Sequence, residues 1–151
     1  MQVEWIEKTF ADLTSYELYA VLQLRNEVFV VEQACVFQDA DDKDQGCYHL
    51  MGFADKKLVA YTRLVPPGHI YTETSIGRVV TSPAIRGSGA GRELMQQSID
   101  RCYRLFGNGP IRIGAQFYLK HFYASFGFRQ VSEIYLEDGI EHIYMLLQPA
   151  P

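Results

Sequence analysis

The sequence predicts an α/β fold, with helices flanking a sheet that runs parallel beside a ligand site. The first observation behind this is the stretch from Ile76 to Phe106. Val79, Val80 and Thr81 are β-branched and suit a strand. Ser82-Pro83 ends it, because proline cannot donate to a sheet ladder. Arg86-Gly87-Ser88-Gly89-Ala90-Gly91-Arg92 then leads directly into a helix. Glycines let backbone N–H groups converge on an anion, and the helix adds the positive end of its dipole. Strand, loop and helix start therefore make a site for a phosphorylated ligand. The second observation is order: strand-like segments precede, separate and follow two or three helical ones, which points to a layered sheet with helices on it.

Each element has its own signal. Val3 to Phe10 reads as a first strand, and Asp12-Leu13-Thr14 offers caps for a helix through about Phe29. Leu18, Val21, Leu22, Leu24 and Val28 give that helix a buried face. Tyr48 to Ala54 and Lys57 to Val65 read as a hairpin turning at Asp55-Lys56. In the helix after the glycine loop, Met95, Ile99, Cys102, Tyr103 and Phe106 recur at helical spacing, and Gly107-Asn108-Gly109-Pro110 stops it. Ile111 to Ala115 reads as a strand and Phe117 to Phe126 as a helix ending at Gly127. Phe128 to Val131, Tyr135-Leu136 and His142 to Leu147 complete the sheet around the Glu137-Asp138-Gly139 turn. His49 and His69 are expected at strand ends or on the surface.

Composition narrows the classes. One domain, 1–151, is expected, with 48% hydrophobic residues spread along the chain, which argues against disorder. The net charge of −4 argues against nucleic acid as the main partner. Met1-Gln2-Val3-Glu4 has no basic or long apolar run, so neither a signal peptide nor a membrane partner is expected. Three cysteines at unhelpful spacings suit reduced thiols and a cytoplasmic location. Cys and His are not spaced as metal ligands, and none is expected to hold one. The acidic run Asp39 to Gln45 fails as an EF-hand at Lys43, Asp44 and Leu50, which leaves a solvated loop or a surface for a cationic substrate.

The glycine loop excludes two common phosphate sites. An NTPase loop needs Lys-Ser/Thr after its last glycine, where this chain has Arg92-Glu93. A dinucleotide fingerprint needs G-x-G-x-x-G, and from Gly87 the third glycine falls one residue early, at Gly91. What fits is Arg86-x-x-Gly89-x-Gly91 directly after a strand, which resembles the coenzyme A loop of the GCN5-related N-acetyltransferases (GNATs). Phe122-Tyr123-Ala124-Ser125-Phe126-Gly127-Phe128 resembles the second motif of that family. Leu24-Arg25-x-x-Val28-Phe29-Val30-Val31-Glu32-Gln33, Asp39-x-Asp41, Gly77-Arg78-Val79 and Glu137-Asp138-Gly139-Ile140-x-His142 extend the likeness to its ElaA subgroup, over nearly the whole chain.

The resemblance implies a GNAT-like mixed central sheet with a splayed parallel strand pair, acetyl-CoA as co-substrate, and direct attack by an amine on the thioester. It assigns the pyrophosphate to Arg86, Gly87, Ser88, Gly89, Ala90, Gly91 and Arg92. Carbonyl alignment falls to main-chain groups of Val79, Val80 and Thr81, a pantetheine contact to Gln116, and protonation of the thiolate to Tyr123. For the amine's proton, Glu73 stands foremost, with Glu32 and His142 behind it. The acceptor side takes in Arg25, Glu32, Asp39, Asp41 and His142, and the acidic loop there suggests a small cationic amine. The acceptor is a small molecule or a peptide amine, and the arrangement allows a homodimer. Two other classes stay open at this level: a non-catalytic acyl-CoA-binding module, against which the retained Tyr123 counts, and an acyl-homoserine-lactone synthase, whose N-terminal helix resembles Arg25-x-x-Val28-Phe29 followed by Glu32.

Overall fold

The computed structural model describes residues 2–150; Met1 and Pro151, the ends of the expected domain, lie outside the described residues. Eight strands form one sheet: β1 (Glu4–Thr9), β2 (Tyr48–Ala54), β3 (Lys57–Val65), β4 (Thr74–Thr81), β5 (Ile111–Gln116), β6 (Arg129–Gln130), β7 (Tyr135–Glu137) and β8 (Ile140–Leu147). Their order is β1-β2-β3-β4-β5-β8-β6, with β7 also on β8. Every pairing is antiparallel except β4 with β5, so the sheet is mixed with one parallel pair.

α1 (Ser15–Arg25) starts at Thr14, whose hydroxyl accepts the Glu17 N–H while the Glu17 carboxylate accepts the Thr14 N–H. This reciprocal cap satisfies two of the donors a helix start leaves bare. The expected continuation to Phe29 is real but changes pitch: Asn26–Glu32 is π-helical. Val21, Leu24 and Val28 pack with Met51, Leu58, Tyr61 and Val80 on one face of the sheet. α2 (Ala90–Phe106) covers the other face through Leu94, Met95, Ile99 and Cys102, against Leu50, Leu64, Ile76 and Ile113. The expected helix Phe117 to Phe126 is a 3-10 turn, Phe117–Leu119, followed by α3 (Lys120–Ala124).

Two irregularities in β4 open the centre of the sheet. Tyr61 pairs with Val80 and Arg63 with Gly77, so Arg78 and Val79 oppose Thr62 alone and form a bulge, with Arg78 at φ +53°. A bulge bends its strand and strengthens the local twist. The parallel pairing with β5 involves only Thr74 with Ile111 and Ser75 with Arg112. Beyond those pairs the strands part.

Candidate active site

The parted strands form the back of a cavity of about 860 Å³. Ile76, Gly77, Arg78, Val79 and Thr81 of β4 line one side, and Ile113, Gly114 and Gln116 of β5 the other. The π-helical segment contributes Val28, Phe29 and Glu32, and the β7–β8 hairpin Glu137, Asp138, Ile140 and His142. Arg86 stands at the end that leads to the glycine loop, and Tyr118, Leu119 and Tyr123 close the wall after β5.

The glycine loop meets the demands of an anion site. Gly87 and Gly89 have φ of +85° and +86°, and Gly89 caps α2 in the left-handed conformation. A Cβ at Gly89 or Gly91 would point into open space, so nothing of the protein occupies the ground before the first turn of α2. The N–H groups of Ala90, Gly91 and Arg92 lie in that turn, where no helical carbonyl can reach them. The Arg92 guanidinium donates to the Ser125 hydroxyl at 2.9 Å and lies 4.6 Å from the centre of the Phe126 ring, which pins α2 to the end of α3; no carboxylate among the described residues pairs with it. Arg86 instead holds Glu32 through both of its terminal nitrogens, across the cavity mouth. These residues fit a pyrophosphate, which would compete with Glu32 for Arg86.

Tyr123 belongs to the cavity wall. Its ring packs edge-on against Phe122 and Phe128, and burial raises the phenol pKa strongly, so it holds its proton. Gln116 lies across from the π-helical segment, its amide donating to Gln33 at 3.3 Å.

Three expected site residues, Glu73, Arg25 and Asp39, are placed differently. Glu73 does not line the cavity; both of its carboxylate oxygens accept from Arg112 at 3.0 Å, and that contact lowers its pKa. A carboxylate so held is a poor base. Val80 turns its side chain to the α1 face, whereas Val79 and Thr81 line the cavity; the role expected of Val80 is a main-chain one. Arg25 is fully buried and Asp39 is tied to it, and neither lines the cavity. His49 stands at the start of β2, as expected, but is buried there; Nε2–H donates to the Asp44 carbonyl, and Nδ1 accepts from the Tyr61 hydroxyl.

The acidic run is solvated only in part: Asp42, Lys43 and Gln45 are exposed, while Asp39, Asp41 and Asp44 are taken up by arginines. Arg25 holds Asp39 at 2.7 Å and Asp44 at 2.9 Å. Arg63 holds Asp44 at 2.9 Å and Asp41 at 2.8 Å. Arg78 holds Asp39 at 2.8 Å and Asp41 at 3.3 Å. The six charges alternate in a closed ring, Arg25–Asp39–Arg78–Asp41–Arg63–Asp44, that joins the end of α1, the loop, β3 and the β4 bulge. Burial pushes the Asp41 carboxyl up, but Arg63 and Arg78 outweigh it and bring it down to about 2. Three arginines thus cancel three of the carboxylates that were expected to attract a cation.

Some cavity residues carried little signal in the sequence. Tyr118 carried none. Arg78 lay in Gly77-Arg78-Val79 with nothing to mark a bulge. Glu137 was legible as a turn residue, and hairpin arithmetic about Asp138-Gly139 would have brought it near His142.

A mixed sheet opened at its one parallel pair, with an anion loop at one end of the opening and a phenol in its wall, defines a coenzyme A-dependent acyltransferase fold. The family model for the acetyltransferase (GNAT) domain matches residues 16–149. Protein ElaA of Escherichia coli is 42% identical over 145 residues, 95% of each chain. Its crystal structure superposes with a TM-score of 0.91, at 40% identity, over 97% of this chain and 100% of that one. The crystal structure of an acyl-CoA N-acyltransferase from Pseudomonas aeruginosa also gives 0.91, at 45% identity, over 95% and 99%. A GNAT family acetyltransferase from Elizabethkingia anophelis, 15% identical with a TM-score of 0.64 over 97% of each chain, shares the fold and has acetyl-CoA bound. The chain belongs to the GNAT acetyltransferase family and is an acyltransferase.

Proposed function

We propose that this acyltransferase moves the acetyl group of acetyl-CoA to a primary amine by direct attack, with Tyr123 protonating the departing thiolate. The observation that carries the reading is the cavity between the parted β4 and β5, which runs from Arg86, the residue that precedes the glycine loop, to the buried Tyr123 phenol. The N–H groups at the start of α2, with Arg86 and Arg92, take the pyrophosphate. The bulge frees β4 main-chain groups beside Val79 to receive the thioester carbonyl and its developing negative charge. The amine nitrogen bonds to the carbonyl carbon, the carbon–sulfur bond breaks, the sulfur takes the Tyr123 proton, and the proton that the acylated nitrogen then sheds restores the phenol by way of solvent. A raised phenol still serves as the donor, because the same burial strengthens the thiolate as a base. Buried thiols within this chain rise to about 11 at Cys47 and about 12 at Cys102.

The test mixes the full chain with acetyl-CoA and a panel of amines: a polyamine, an aminoglycoside, amino acids and a peptide with a free N-terminus. Mass spectrometry of the products should find one class gaining an acetyl group. Acetyl-CoA bound with every amine unchanged would leave an acyl-CoA-binding module and sink the reading.

A further inference from the structure

His142 Nε2 and Glu137 Oε2 face each other in the cavity wall. In the β7–β8 hairpin Glu137 pairs with Ile140 and Tyr135 with His142, so the Glu137 and His142 side chains are diagonal neighbours. His142 Nδ1 lies 2.8 Å from the Ile140 carbonyl oxygen. A carbonyl only accepts, so Nδ1 carries a proton and Nε2 is the ring nitrogen free to take one up or give one up. That nitrogen sits 3.5 Å from Glu137 Oε2. The ring is stacked on Tyr135, with centroids 5.8 Å apart and planes 28° apart, which holds its orientation. The His142 side chain is 10% exposed, the Glu137 side chain 59%.

We propose that the His142–Glu137 pair is where the acceptor's ammonium gives up its proton, which makes the acceptor a primary amine that is protonated at neutral pH. This rests on the acetyl transfer proposed above. The ammonium donates toward Nε2 and Oε2 together. One N–H bond breaks, its electron pair stays on the amine nitrogen, and a new N–H bond forms at Nε2. Ammonium and neutral imidazole become amine and imidazolium, and the Glu137 carboxylate stabilises the new charge. The proton then leaves to solvent along the exposed Glu137 side. Tyr135 and Glu137 from β7 face the ring, Tyr144 of β8 stacks on Tyr135, Asp138 lies in the turn with Cys35 Sγ on its carbonyl, and β5 sets the uncharged Gln116 opposite. The cavity's other central charges, Asp41 and Arg78, are matched within the ionic ring. Glu73, held by Arg112, stands outside the cavity.

The test follows acetyl-CoA turnover with benzylamine, and with each amine that the panel finds acetylated, from about pH 6 to pH 10, across which a primary amine comes to deprotonate itself. His142→Gln should lower kcat/KM about 10²-fold near pH 7, with the loss shrinking as pH rises. Acetyl-CoA affinity should hold. Glu137→Gln should also lower kcat/KM near pH 7, because the imidazolium formed in the step loses its partner carboxylate. An equal loss at every pH, or no loss, would overturn the proposal by making His142 structural. Imidazole nitrogen NMR on the CoA-loaded chain gives an independent readout. The Nδ1–H tautomer should be seen, and the Nε2 resonance should move on adding benzylammonium. The other tautomer, or an unmoved resonance, also overturns it. Should no amine be acetylated, the acetyl-transfer reading has failed, and the imidazole spectrum still decides what His142 presents.

Discussion

Single residues divide into those whose role is chemical and those whose role is to leave room. Tyr123→Phe keeps the edge-on packing against Phe122 and Phe128 and removes only the hydroxyl. We expect kcat to fall roughly 10²-fold with acetyl-CoA affinity little changed; steady-state kinetics beside calorimetry would show it, and an unchanged kcat would make Tyr123 a core residue. The glycine loop is best tested at Gly91. Gly89 needs φ +86°, so any side chain there strains the backbone as well as the site, whereas Gly91 is not in that region and its added Cβ meets nothing. Gly91→Val should therefore fold normally and lose acetyl-CoA affinity at least about tenfold, by intruding where the N–H groups converge. Binding at wild-type strength in a folded variant would move the pyrophosphate elsewhere.

At the scale of elements, the bulge and the ionic ring explain each other. Arg78 is held at a positive φ that costs a non-glycine residue roughly 1–2 kcal/mol, and its guanidinium is anchored by Asp39 and Asp41. Removing one partner from a buried charge pair leaves the other unmatched and costs about 3–5 kcal/mol. Asp44→Ala leaves both Arg25 and Arg63 short of a carboxylate and should lower Tm by about 6–20 °C. The double variant Arg25→Met with Asp44→Leu should lose less than the two single changes summed, by thermal melts of all four proteins. What was legible in the sequence follows the same division. The β2–β3 hairpin, α2 and its glycine stop, and the Thr14 cap could be read because each rests on local spacing. The acidic run could not be read from spacing, because its partners Arg25, Arg63 and Arg78 come from three separate elements. Glu73 misled for a related reason: its fate depends on Arg112, which only the β4–β5 pairing brings beside it. The π-helical stretch after Arg25 had the same apolar spacing as the helix it continues.

For the whole molecule, buried charge makes acid the sensitive direction. Asp41 and Asp44 have lowered pKa values in the fold, because their arginine partners outweigh burial. The stability they contribute is complete above the unfolded value near 3.9 and is lost as pH falls through the folded values. His49 is lowered by burial, so between about 6.5 and its folded value the unfolded chain binds a proton that the native state refuses. Both groups make unfolding easier as pH falls, in two separated windows. Urea midpoints should drop from pH 7.5 to 5.5 and again toward pH 3, each shift measured against the optimum near neutrality; a flat midpoint across the first interval would mean that His49 titrates as an exposed imidazole. The ring has a consequence beyond stability. Because each of its six members touches two others of opposite sign, no single replacement leaves its neighbours matched. Lineages that drift away from this arrangement should therefore abandon Arg25, Asp39, Asp41, Asp44, Arg63 and Arg78 nearly together, so that the six positions are inherited as one character rather than six.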